Sequence, residues 1–459
     1  MIKTKYITLL LLTALLGFTG CSDDDDSVQP FSVSFSSSEA GISPQSPSTE
    51  IVLVFSRPSS TAGEVKLSLN PNDLTYGENN DFYTSVTPEQ NVIALAFESG
   101  DENVSFTVHS GSAAALQEDK AIVFSILEDE TSTFITGNQS EVSVQFAENF
   151  ISKGATVEID GGGAAQPFQV FIDLSKQTQL KVDKYSWDLG FSSDQNEFAV
   201  VLNSSAFVMA RPLDVTDIDA VTANDTTGFA SKMFISNYYD TEASEWVDNQ
   251  NGSFDETAIS TISETDSENK VYIIKRDGDD RNWKKVRILR SGSDYVLQYA
   301  DIAASTHEEL TITKDQAFNF IHADLDNGVT SVEPEKESWD LMYSTYSGVA
   351  NYGVWLGIAF NDIVVLNRSN VSAVKIEETS EITYDNFSSE DMANQTLENE
   401  NIFVIGDTWR GLEGFALVLK TDVFYLIEDS EGNHYKLKFT SLTARDERGY
   451  PEYKYELLD

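Results

Sequence analysis

The chain has 459 residues, with 30 Lys and Arg against 75 Asp and Glu, for a formal net charge of −45. That length points to roughly two to four domains, and 41% hydrophobic with 11% aromatic residues supplies packed cores rather than a disordered acidic chain. The charge balance excludes nucleic acid and anionic membrane surfaces as partners of the folded body, and one Cys with four His excludes a disulfide framework, a thiolate zinc site and an iron–sulfur cluster.

Lys3 and Lys5 precede a short apolar run from Ile7 to Leu16, followed by Phe18-Thr19-Gly20-Cys21. The run is too short to span a bilayer and reads as a signal peptide over residues 1–20. The placement of Cys21 after small residues resembles the lipobox of bacterial lipoproteins. That resemblance implies acylation of Cys21, so that the chain meets the membrane only through its lipid anchor. Residues 21–30 form a tether in which Asp23-Asp24-Asp25-Asp26 repel one another and stay solvated. Ser22 with this acidic run resembles the surface-export signal of some Gram-negative lipoproteins, which implies an outer-membrane location facing the cell exterior.

Residues 31–150 read as short alternating strands: Ile51–Phe55, Val65–Leu69, Val92–Phe97, Val104–Val108, Ala121–Ile126 and Val142–Phe146. Period-two alternation puts one face in a core and the other in water, and the regular spacing predicts a β-sandwich. Tyr76-Gly77, Asp81-Phe82-Tyr83, Gly100-Asp101-Glu102 and Phe106-Thr107-Val108 together resemble Calx-β domains. Such domains can hold calcium in acidic end loops, but the acids here outline no ligand loop, and a spacer or stalk is the favoured reading.

The remaining chain repeats itself. Ser186-Trp187-Asp188-Leu189 returns as Ser338-Trp339-Asp340-Leu341, and Phe168–Leu174 has a counterpart in Phe318–Leu325. Val271–Ile274, Asp277-Gly278 and Lys285–Ile288 return as Phe424–Ile427, Glu431-Gly432 and Lys436–Phe439, and each copy ends on an aromatic strand, Tyr295–Tyr299 or Tyr453–Leu457. Ordered matches predict tandem domains at 154–305 and 310–459 in an all-β chain. Trp187 and Trp339 read as core anchors, and Asp188 and Asp340 as acceptors of local backbone hydrogen bonds. Gly161-Gly162-Gly163 lacks the Lys-Ser/Thr and helix of a phosphate cradle.

The order of elements in each copy resembles HmuY-type haem-binding lipoproteins: an aromatic strand, Ser-Trp-Asp-Leu, the Asn-containing Val201-Leu202-Asn203-Ser204-Ser205, then a Tyr-aliphatic strand, a Gly turn and a Lys-aliphatic strand. The resemblance implies antiparallel β domains that capture haem or a related tetrapyrrole for iron acquisition. It also implies transfer to an outer-membrane receptor of the TonB-dependent type, and iron held by loop side chains, His or Met, after the Trp-Asp element. No His lies between Trp187 and Tyr272, whereas Met209 and Met233 do, so these thioethers are the candidate haem-iron ligands. Phe207, Phe229, Phe234, Tyr238 and Tyr239 are candidate stacking partners. The alternative is that both Met fill core gaps.

In the second copy the corresponding positions fall near Asn361 and Asp385, which cannot replace a thioether, and His322 sits on the strand before the Trp. Its aromatic stretch Tyr352-Gly353-Val354-Trp355 suits a partner or glycan, which leaves adhesion or glycan binding on the same scaffold as the second functional reading. Gly-x-Ser-x-Gly, His-Glu-x-x-His and P-loop patterns are absent and the four His are dispersed, so binding is favoured over enzymatic activity.

Overall fold

The computed structural model describes residues 31–458 except 45, 115–119, 129–132, 148, 238–240, 279–280 and 415. The signal peptide, Cys21 and the acidic tether therefore lie outside the described residues. Alternation in sequence becomes alternation in burial: Phe31, Val33 and Phe35 of strand Phe31–Phe35 point inward, as do Ile51, Leu53 and Phe55 of Ser48–Phe55. All six strands expected in this region form. They belong to two five-stranded sheets packed over one core, in which Phe31, Phe55 and Phe97 meet with ring centroids 4.8–5.7 Å apart. The all-β expectation holds, since the second half consists of two five-stranded and two four-stranded sheets with one small ribbon.

Sheet pairing cuts across the sequence repeat. The first copy's strand Phe168–Asp173 pairs antiparallel with Leu341–Asn351 of the second copy, with Ile172 opposite Leu341. Reciprocally, Phe320–Asp324 of the second copy pairs with Leu189–Ser192 of the first, with Ala323 opposite Leu189. Gly154–Glu158 likewise joins the chain's last strand, Glu452–Leu457, while Glu308–Ile312 completes the sheet of Asp294–Asp301. Each body thus contains strands lent by the other stretch of chain. One core gathers Val170 and Phe171 with Trp339, Tyr425 and Tyr455; the other gathers Leu189 and Phe191 with Tyr295 and Ala323.

The two Trp-Asp elements seal this exchange. Asp188 and Asp340 do not bond their own local backbone as expected. Asp188 Oδ2 accepts the amide of Leu325 at 2.8 Å, and Asp340 Oδ2 accepts that of Leu174 at 2.8 Å, so each carboxylate caps the strand lent by the opposite repeat. The adjoining turn is closed twice in the same way. Asn203 donates to the carbonyls of Lys184 and Trp187, and Asn367 to those of Lys336 and Trp339, at 2.7–2.9 Å.

Their electrostatics differ. Asp188 is buried against Arg276, whose Nε lies at 2.9 Å, and against Arg281; Arg276 also donates to Asp326 at 2.6 Å. Burial pulls the Arg276 guanidinium down, but Asp188 and Asp326 more than offset this and hold it above its ordinary value. The residue after Val271–Lys275 is Arg276, whereas the residue after the matching strand Val423–Glu428 is Asp429. Asp340 therefore lacks the cation that Asp188 has. Burial first, and the neighbouring Asp173 second, push its carboxyl well above the usual carboxylate range.

Replacing Arg276 with Ala leaves a buried carboxylate short of its partner and is expected to cost about 3 kcal/mol. Asp340→Asn keeps the acceptor for Leu174 and removes a group that folding prefers protonated. Ionising Asp340 lowers stability as pH rises above the ordinary carboxylate value, so the variant is expected to be at least as stable as the parent at neutral pH and to lose less stability between about pH 4 and pH 7. Thermal unfolding of the parent and both variants across that range checks both outcomes.

Candidate functional site

Met209 opens the strand Met209–Pro212, which pairs with Val271–Lys275, and Met233 follows the single turn Ala230–Lys232. The fold brings the two together in one apolar cluster with Phe229, Trp246, Val271 and Ile273. The segment between them is built from isolated 3₁₀ turns and is tied down by Lys285, whose buried ammonium donates to the carbonyls of Val221 and Ala304 at 2.7 and 2.8 Å. Arg211 lies over Phe229, 3.9 Å from the ring centroid, and its buried Nε has no partner among the described residues.

Both methionines are closed off, with exposures of 0% and 1%. No water-sized gap touches Met209, so a flat macrocycle does not fit between the sulfurs in this arrangement, and iron could reach them only after the segment packed over this cluster parts from the sheet. Of the expected stacking partners, Phe229 is buried in the same cluster and Phe234 is largely exposed, while Tyr238 and Tyr239 lie outside the described residues. Sheet register also corrects the second-copy comparison. Met209 stands opposite Lys275 and Ser372 stands opposite the equivalent Glu428, so Ser372 rather than Asn361 occupies the matching place; it too lacks sulfur.

An opening lies elsewhere, between the two bodies. A cavity of about 100 Å³, enough for several waters, is bounded by residues from both copies at matching places: Val201 and Val365, Leu202 and Leu366, Trp187 and Trp339. The exchange creates its walls. Phe171 meets Trp339 edge-on at 5.1 Å, and His322, its counterpart from the other copy, meets Trp187 edge-on at 4.5 Å. His322 was noted in the sequence only as remote from the ligand loops; burial lowers its imidazole to about 3, so it is neutral at physiological pH. Trp187 Nε1 donates to Gln169 Oε1 at 2.7 Å, whereas the buried Trp339 Nε1 has no partner among the described residues.

Two carboxyls and a guanidinium complete the cavity wall. Asp248 accepts the amides of Leu202 and Ala258 at 2.7 and 2.9 Å; burial raises it to about 6 against those bonds. Glu333 accepts the amide of Phe320 at 2.7 Å and is raised by burial to about 7. Arg368 lies over the rings of Phe254 and Phe320, 4.4 and 5.4 Å from their centroids. Sequence reading missed all three. For Arg368 the signal was present in the repeat itself, where Leu202-Asn203-Ser204-Ser205 returns as Leu366-Asn367-Arg368-Ser369.

At the far end of the second body, the hairpin joining Leu341–Asn351 to Trp355–Leu366 presents Tyr352, Val354 and Trp355 at 67%, 51% and 55% exposure. Among the described residues no group of three or more His, Cys, Asp or Glu is arranged to hold a metal ion.

Several solved structures are similar to this chain. The apo-form Calx CBD1 domain is 15% identical, covering 25% of this chain and 96% of its own at a TM-score of 0.20. The CBD12 structure from CALX1.2 is 11% identical, covering 33% and 74% at a TM-score of 0.21. A provisionally assigned carbohydrate binding protein from Bacteroides ovatus ATCC 8483 is 10% identical, covering 93% and 98% at a TM-score of 0.19. No curated protein matches the chain. The family model described as HmuY protein matches twice, over residues 165–301 and 316–455, which together make up more than half of the sequence. The chain therefore belongs to the HmuY family and carries the family's module in duplicate.

Proposed function

We propose that this chain is a cell-surface lipoprotein, acylated at Cys21 on the outer membrane, that captures haem or a related tetrapyrrole for iron acquisition and delivers it to a TonB-dependent receptor. The observation that carries this reading is the duplicated module of a family associated with haem binding. Met209 and Met233 are the candidate axial ligands, supported by their convergence in one cluster and opposed by their complete burial. The reading therefore requires the turns over that cluster to open. Arg211, held over Phe229 with an Nε that has no partner among the described residues, is then a cation available to a propionate.

Haem titrated into the full mature chain is expected to give a saturable Soret shift that Met209→Ala/Met233→Ala removes, with at least about a tenfold loss of affinity. A shift retained by the double variant would move the ligands elsewhere in the chain, and the absence of any shift would end the haem reading.

The exposed hairpin favours adhesion or glycan binding as a second reading. Large aromatics are seldom presented together in water unless they meet a partner. On a glycan array the parent is expected to bind, and Trp355→Ala to lose most of the signal with no change in thermal stability, since its ring is largely solvated. A blank array for the parent removes this reading.

A further inference from the structure

The cavity between the two bodies is lined by a half-buried cation, Arg368, with two acids among its neighbours. Arg368 follows Asn367 in the duplicated turn, where the first copy has Ser204, and both residues line the cavity. It lies over Phe254 and Phe320, beside Gly252, whose φ of +84 favours glycine and where a Cβ would come to 3.0 Å from Arg368 Nη2. Among the described residues no hydrogen bond or ion pair to Arg368 is formed. The nearest acids, Asp248 and Glu333, attract it through space and form their hydrogen bonds with the amides of Leu202, Ala258 and Phe320 instead. A second donor in the same wall, Trp339 Nε1, is also unpartnered and buried.

A guanidinium without a hydrogen-bonded partner, lining this partly open space, suits a guest with acceptor oxygens. The planar guanidinium matches a carboxylate through two parallel hydrogen bonds. Asp248 and Glu333 nearby limit the charge of that guest: repulsion from an ionised carboxylate in the wall grows with the guest's charge, so a monoanion is favoured over a dianion. Trp187, Trp339 and Phe320 offer apolar faces to the remainder of the molecule. We infer that the cavity between the exchanged modules is a binding site for a small monocarboxylic acid, with Arg368 as its anion ligand. This site is separate from Met209 and Met233, neither of which lines it, and does not depend on the haem reading.

The test is titration calorimetry with the full mature chain in chloride buffer of fixed ionic strength, using acetate, benzoate and glucuronate. Acetamide, benzamide and glucose serve as uncharged contrasts, and inorganic phosphate as the dianionic one. At least one carboxylate is expected to bind saturably and at least about tenfold more tightly than its uncharged contrast and than phosphate. Arg368→Met is expected to weaken that binding by about 10- to 100-fold while leaving haem titration unchanged. Should that variant fail to fold, Arg368→Lys, which keeps the charge and loses the fork, is expected to weaken binding by about tenfold. The inference is overturned if none of the three carboxylates binds saturably, if uncharged contrasts or phosphate bind as tightly, or if the folded Arg368 variant binds like the parent.

Discussion

The second half of the molecule depends on a carboxylate placed directly after a tryptophan. Asp188 and Asp340 each cap a strand that arrives from the other repeat, and each tryptophan packs against a ring on that same strand, His322 for Trp187 and Phe171 for Trp339. One short element therefore does two things at once: it anchors a core, and it fixes which strand may dock beside it. Removing its water leaves the acid dependent on the partners the fold supplies, and these differ. Arg276 and Arg281 serve the first copy, while the second surrounds its acid with more acid. Duplication kept the backbone geometry and let the charge arrangement drift.

Much of this was legible from residue order. Period-two alternation placed the N-terminal strands, because a half-buried sheet demands that pattern. Four ordered matches exposed the duplicated module, since the same local geometry needs the same anchors. What residue order could not supply was the identity of the strand beside each anchor. Phe168–Asp173 and Phe320–Asp324 are near-equivalents with near-equivalent docking sites, and local patterning does not choose between joining one's own module and joining the other. The choice rests on contacts between residues more than a hundred positions apart.

The same limit explains the candidate sites. Met209 and Met233 were found by type and interval, and the fold does bring them together, yet burial depends on what roofs them, which is a property of the irregular 3₁₀ turns and not of the interval. Arg368 escaped notice because an Arg in an acidic chain reads as solvent charge-balancing. Only the exchange of strands turns its position inward, between Phe254 and Phe320. Asp248 and Glu333 are hidden for a similar reason among 75 acids; their backbone partners, set by tertiary folding, distinguish them.

Reciprocal lending of strands is how two identical chains hold each other in a swapped dimer, and here both partners belong to one polypeptide. Fusion makes their encounter intramolecular, at an effective concentration set by the short connection between Asp294–Asp301 and Phe320–Asp324 rather than by abundance. Dilution cannot then part the halves. A space that both of them line therefore persists in every copy of the molecule, however sparse.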